Sequence, residues 1–220
     1  MFIESIIRAY FLHYFMISLT SKQSLKVVKM LIQKPYTSQL SISHSANVSL
    51  GQVNHVISAL RDANIVSQPE KNRTQLMDYS RLMEIVGWQR PVRKLLLGKF
   101  KGNKISEGKI AAIPKIKYSF TLLSALRKYS AYAGGDKMQF YIREEDYSKV
   151  KKHFQDMGFT ENVGGKIEIY RFDSPDILKE SQNINNLLFV SEVQLLIDLF
   201  GCGREYSQIA YKFLEEFKGG

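Results

Sequence analysis

The sequence predicts an α+β protein: a small helical head with a two-stranded hairpin, then a second α/β domain ending in helices. Apolar residues repeat at helical spacing up to Leu60, and two short strand-like runs with a turn between them follow. From residue 119 strand-like and helical stretches alternate until two helices close the chain. The length, 220 residues, suits one large domain or two small ones, and 45% apolar with 24% charged residues is the composition of a folded chain. The expected divisions are 1–80 for the head, 81–118 for a basic connecting segment and 119–220 for the second domain.

The first 20 residues, MFIESIIRAYFLHYFMISLT, carry Phe2, Ile3, Ile6, Ile7, Tyr10, Phe11, Tyr14 and Phe15 at three- and four-residue steps, a broad apolar helical stripe. Glu4, Arg8 and His13 interrupt it. It has neither a basic start nor a small-residue cleavage pattern, so a secretory leader or membrane anchor is not expected. The single cysteine, Cys202, permits no intramolecular disulfide and agrees with a cytoplasmic location. A stripe this apolar packs on its own domain or on a second copy of the chain. We expect a homodimer through Ile3, Ile7, Tyr10, Phe11 and Tyr14.

Ser21 is placed to cap a second helix whose inner face is Leu25, Val28, Leu31 and Ile32, and Pro35 ends it. The short segment TSQLSISHSA follows, then a turn at Asn47 and Val48. Next comes SLGQVNHVISALRDANIV, the most informative stretch of the chain. Ser49 with Gln52 three residues on is a capping-box pattern. Val53, Val56, Ile57 and Leu60 form one helical face. The opposite face holds Gly51, His55, Ser58 and Asp62, flanked by Gln52, Asn54 and Arg61. Small neutral hydrogen-bonding residues opposite an apolar stripe suit a helix lying in a major groove, where donors and acceptors read base edges.

Ile65 and Val66 read as a strand, PEKNR as a turn and TQLM as the returning strand, with Lys71 and Arg73 at the tip. Helix, turn, helix and a basic-tipped hairpin within about 40 residues is the order of a winged helix-turn-helix. The expected base contacts are Ser49, Gln52, Asn54 and His55. The expected phosphate contacts are Lys71, Arg73, Arg61, Arg93 and Lys94, on double-stranded DNA.

Residues 81–130 carry twelve Lys/Arg against two Asp/Glu, whereas 131–220 carry eleven against fifteen. Leu82, Ile85, Val86 and Trp88 form a short packed helix ahead of Pro91. The basic run beyond it either follows a DNA backbone or is a solvated linker. Gly98 and Gly102 lack the following Lys-Ser/Thr of a phosphate loop. From 119 on, SFTLLSALRKYSAY reads as a helix with Phe120, Leu123 and Leu126 on one face. Met138, Phe140 and Ile142 alternate as a half-buried strand, EEDYSKVKKHFQDMGF is helical up to Gly158, and KIEIYRF is a strand. NNLLFVSEVQLLIDLFG and REYSQIAYKFLEEF then read as two helices joined at Gly201-Cys202-Gly203, with Ser191 as the first helix's cap.

No catalytic constellation emerges, and the chain is not expected to be an enzyme. Four scattered histidines and one cysteine give no zinc-ligand spacing, so neither metal nor cofactor is expected. Cys202 has no His near it in sequence to act as a base. Gly134-Gly135-Asp136 starts like a nucleotidyltransferase site, but the Asp-x-Asp pair that would hold two metal ions does not follow.

VSLGQVNHVISALRDANIV with its basic hairpin resembles the N-terminal domain of AbiEi-type antitoxins of type IV toxin–antitoxin systems. DYSRLMEIVGWQR, YSAYAGGDKMQFYI and VSEVQLLIDLFGCGREYSQIAYKFLEE are similar to later segments of that family in the same order, over roughly residues 36–217. The resemblance implies a sequence-specific transcriptional regulator, an autoregulating repressor whose second domain serves regulation. The alternative is an interaction protein whose acidic C-terminal part neutralises a basic toxin, with DNA binding secondary. The apolar N-terminal helix is additional to the family pattern, and Arg61 is the recognition helix's single basic residue.

Overall fold

The computed structural model describes residues 17–131 and 134–219. Ile3, Ile7, Tyr10, Phe11 and Tyr14, the expected dimer contacts, lie outside the described residues. The chain is mixed α+β and divides into two compact units, Met1–Arg90 and Pro91–Gly220.

In the first unit, α1 (Lys22–Gln33) starts at Ser21, whose hydroxyl accepts from the Ser24 amide, and buries Leu25, Val27, Val28, Leu31 and Ile32. Pro35 leads into β1 (Tyr36–Thr37). Ser38 then caps α2 (Gln39–Ala46), accepting from the Ser41 amide at 3.0 Å. Asn47 ends α2 in the left-handed conformation, φ 50°, which a short polar side chain tolerates. The turn is fastened by Ser43, whose hydroxyl donates to the Val48 carbonyl at 2.7 Å. Then α3 (Leu50–Asp62) buries Val53, Val56, Ile57 and Leu60, the stripe its spacing predicts.

The hairpin β2 (Val66–Glu70) and β3 (Arg73–Leu76) is tighter than expected. Glu70 faces Arg73, so the turn is Lys71-Asn72 alone, and Pro69 sits within β2. That position is tolerated because β2 is an edge strand of the sheet β1-β3-β2. Asp78 caps α4 (Tyr79–Gln89). Leu82, Ile85 and Val86 are buried there as expected, but Trp88 is 55% exposed. Its neighbour Gln89 accepts from the Leu19 amide at 2.7 Å and donates to the Ile17 carbonyl at 3.3 Å.

The expected connecting segment 81–118 does not exist as such. Residues up to Arg90 belong to the first unit, and those from Pro91 belong to the second. A 3-10 turn, Val92–Leu95, leads into β4 (Leu96–Lys101), which lies between two other strands of a sheet. The lysines hid this strand. Lys99, within the run read as a DNA-backbone track or a solvated linker, runs its ammonium to Glu168 at 2.6 Å, so its stem serves as strand surface.

After α5 (Glu107–Ala111) comes β5 (Tyr118–Phe120), where a helix was expected. The chain then turns sharply through Thr121 and Leu122, the latter at φ 48°, into α6 (Leu122–Tyr129). Contacts with Gln139 override the helical spacing: its carbonyl accepts from the Thr121 amide and its Oε1 from the Leu123 amide, both at 3.0 Å. The remaining elements are β6 (Met138–Ile142), α7 (Tyr147–Asp156), β7 (Thr160–Glu161), β8 (Ile167–Arg171), α8 (Pro175–Lys179), β9 (Gln182–Ile184), β10 (Leu187–Phe189), α9 (Glu192–Gly201) and α10 (Ser207–Gly219). Leu187–Phe189, ahead of Ser191, which caps α9 as expected, is a strand because Asn185 and Asn186 are both left-handed (φ 53° and 64°), the two-residue turn that reverses a hairpin.

Among the described residues the second unit's sheet has the order β7-β4-β8-β6-β5-β10-β9. The pairs β6/β8 and β5/β10 are parallel and the others antiparallel. One face is aromatic: Phe154 of α7 lies 5.1 Å from Phe100 and 6.4 Å from Phe140, ring centre to ring centre. The other face is polar yet covered. Alternation predicted that Gln139 and Tyr141 of β6 would face solvent, whereas all five β6 residues are buried. Gln139, beside Glu168 in the parallel register, donates to its Oε2 at 2.6 Å. Tyr141 donates to Asp198 of α9 at 3.0 Å, and Thr121 and Gln194 donate to the same carboxylate at 2.5 and 2.8 Å.

Candidate nucleic-acid interface

The outer surface of α3 is set by its own packing. With Val53, Val56, Ile57 and Leu60 inward, Gly51, Asn54, His55, Arg61 and Asp62 are left exposed. Leu50, at the first helical position, is 43% exposed although it continues the apolar spacing. It was missed as a surface residue because of that spacing. An aliphatic side chain here is suited to a thymine methyl.

The four expected base readers are placed differently from one another. Asn54 and His55 stand exposed on α3. Ser49 is occupied as the helix cap, accepting from the Gln52 amide at 3.3 Å. Gln52 does not complete a capping box with its side chain. Its Nε2 donates to the buried Ser24 hydroxyl at 3.2 Å, tying α3 to α1. Ser24 in turn accepts from Ser21 at 2.8 Å, so the caps of two helices share one hydrogen-bond chain.

The basic residues also separate. Arg61 reaches from the last turn of α3 to Gln68 of β2 at 2.6 Å and to Ser58 at 3.4 Å, bracing the hairpin against the helix. Lys71 is exposed in the hairpin turn. Arg73 lies 5.6 Å from the ring centre of Tyr36, whose hydroxyl donates to Glu70 at 2.8 Å. That carboxylate raises the Tyr36 hydroxyl above its ordinary pKa, chiefly through the hydrogen bond. Tyr36, 47% exposed, thereby organises both charged residues beside the turn; a single Tyr after Pro35 gave no signal of this in the sequence. Arg93 and Lys94 are in the other unit, and Arg93 pairs with Glu205 at 2.8 Å. The structure therefore gathers Ser49, Gln52, Asn54, His55, Arg61, Lys71 and Arg73 in one unit and leaves Arg93 and Lys94 out of it.

Within the second unit the most concentrated polar chemistry surrounds Glu168. Burial pushes its carboxyl up, but hydrogen bonds from Lys99, Tyr170 and Gln139 and the charge of Lys137 outweigh this and hold it below the usual range. Lys137 also pairs with Glu205 at 2.7 Å, and that contact holds the Glu205 carboxyl down. Both Glu168 oxygens are thus saturated by donors, as in a structural knot. Burial pushes the Cys202 thiol far up, which disfavours a thiolate nucleophile. Among the described residues no three His, Cys, Asp or Glu side chains are grouped to hold a metal ion, and no helix is long and apolar enough to cross a membrane.

Comparison with protein-family models, curated proteins and solved structures finds no match to this chain.

Proposed function

We propose that the first unit is a winged helix-turn-helix reading double-stranded DNA, and that the protein is a transcriptional regulator of antitoxin-like architecture, an autoregulating repressor acting as a homodimer. The observation that carries this is the exposed face of α3. It presents Asn54 and His55 beside a small and an aliphatic residue, Gly51 and Leu50, with the Lys71-Asn72 turn on the hairpin that follows. Neutral donors and acceptors on a helix preceded by a capped helix and followed by a hairpin suit major-groove readout with phosphate contacts from the wing. Asn54 and His55 are the base readers in this proposal. Ser49 and Gln52 hold the helix, and Lys71 and Arg73 meet phosphate.

The alternative, capture of a basic toxin by an acidic second domain, loses its main support. Once the unit is seen to begin at Pro91 it carries twenty-one Lys/Arg against sixteen Asp/Glu. The test is fluorescence anisotropy with duplex from the chain's own promoter and a scrambled duplex, at two salt concentrations. Asn54→Ala should weaken promoter binding by about 1–3 kcal/mol and leave the scrambled duplex unchanged. Arg73→Ala should weaken both alike and lower the salt slope by about one. Equal affinity of the wild type for the two duplexes would refute sequence reading.

A further inference from the structure

Three glycine- and lysine-bearing segments meet at one end of the second unit's sheet. Lys101 ends β4 and runs on into Gly102-Asn103-Lys104, Gly135-Asp136 leads into β6, and Gly164-Gly165-Lys166 leads into β8. They converge because β8 is antiparallel to β4 and parallel to β6, with Ile167 beside both Phe100 and Met138. Two glycines are required for the approach. A Cβ on Gly165 would fall 2.4 Å from the Phe100 backbone, and one on Gly102 would fall 2.2 Å from the Phe159 ring. None of the three segments is a nucleotide-binding loop by sequence; topology assembles them.

Between the segments lies a cleft of about 640 Å³. Its walls carry Lys101, Lys104, Arg127 and Lys166 against Glu107 and Asp136. Lys166 pairs with Asp136 at 2.5 Å, while Glu107 lies 3.2 Å from Lys128 and 3.9 Å from Arg127. Lys101 and Lys104 are exposed, and Lys104 stands near enough to Asp136 for its charge to help hold that carboxyl below the usual range. Arg127 is pinned by the Gly135 and Lys137 carbonyls and the Ser124 hydroxyl at 3.2–3.4 Å, so its charge is fixed in place. The buried side chains of Ile105, Met138 and Ile167 give the cleft an apolar floor.

We propose that this cleft binds a phosphorylated small molecule of mononucleotide size. A phosphate dianion matches the two exposed lysines and the fixed Arg127 charge, and the organic body covers the apolar floor. The volume is that of small-molecule sites, a few hundred to about a thousand Å³. A nucleic-acid strand fits less well, because Glu107 and Asp136 would repel successive phosphates, whereas the same carboxylates can accept from the hydroxyl or amino groups of a single nucleotide. The site is independent of DNA reading by the first unit, and it is assayed without promoter duplex.

The experiment is calorimetric titration of the full chain with AMP, GMP, CMP and UMP at millimolar concentration, with inorganic phosphate and a single-stranded oligonucleotide as controls. At least one nucleoside monophosphate should bind saturably and more tightly than phosphate. The double variant Lys101→Ala/Lys104→Ala should bind it about tenfold more weakly. Both lysines are exposed, so the variant should keep the wild-type circular dichroism and melting temperature, and Lys104→Glu provides a second check. Three results would overturn the proposal: no binding of any of the four nucleotides, binding unaffected by the lysine variants, or oligonucleotide binding that the nucleotides do not displace.

Discussion

The two units differ in which charges they bury. The first, with helices α1 to α3 around Val27, Val28, Leu31, Val53, Val56 and Leu60, has a mainly aliphatic interior; among the described residues the polar side chains it buries are Ser24, Lys29, Thr37, Thr74 and Arg90, with no carboxylate among them. Ser21, Ser38 and Ser49 each cap one helix. The second builds charge into its core: Glu168 and Asp198 are almost fully buried, and each accepts from several donors. An aliphatic core tolerates exchange of similar volumes, whereas a buried carboxylate with satisfied partners tolerates loss of none of them. The difference teaches where each unit is fragile: the first at its caps, the second at its charges.

The largest expected effect sharpens that contrast. Glu168→Ala strands Lys99, Lys137, Tyr170 and Gln139 and should cost the second unit about 3–5 kcal/mol in urea unfolding. A cost near that of an ordinary surface substitution would show that the network is not a source of stability. Acid should discriminate the units next. Among the described residues, the carboxyls held below their usual range are Asp136, Glu161, Glu168 and Glu205, all in the second unit. Depressed carboxyls contribute stability that is complete above the unfolded-state value of about 4.3 and lost as pH falls through their folded values. The second unit should therefore unfold first on acidification below about pH 4.5, read by its tyrosine and phenylalanine signals against Trp88 fluorescence from the first.

A smaller effect probes the caps. Ser49→Ala removes the acceptor for the Gln52 amide and should cost the first unit about 1 kcal/mol, with Ser49→Gly costing only a few tenths. If alanine and glycine behave alike, the hydroxyl is not the cap's working part. The smallest concerns Arg93, whose ion pair with Glu205 has both side chains substantially exposed. Arg93→Ala should change stability by at most about 0.5 kcal/mol, and promoter affinity by less than Arg73→Ala does. A promoter loss equal to that of Arg73→Ala would restore Arg93 to the DNA surface.

The sequence disclosed the first unit far better than the second. Its helices are amphipathic at regular spacing, and Ser21 and Ser49 stand where capping chemistry requires them. What it misjudged there depends on partners remote in sequence: Gln52 meets Ser24, and Arg73 meets Tyr36. In the second unit the central strands were harder to read because their polar residues are internal. Gln139, Tyr141 and Lys99 look like solvent-facing positions until Glu168 and Asp198 are brought beside them. The charge asymmetry along the chain misled for a related reason. The basic stretch after Pro91 and the acidic stretch after it fold into one sheet and neutralise each other, so neither is a surface of one sign.

The parallel pairing of β5 with β10 sets Phe120 against Phe189. A contact so distant in sequence must wait for the intervening chain. During synthesis the first unit is complete once Arg90 has emerged, whereas β5 remains an unpaired edge on that side until β10 is made. Contacts between distant segments slow folding because the loop must close before any of them forms. The first unit should thus reach its native state on the ribosome while the other still exposes Phe120, leaving the second unit the more exposed to misfolding during synthesis.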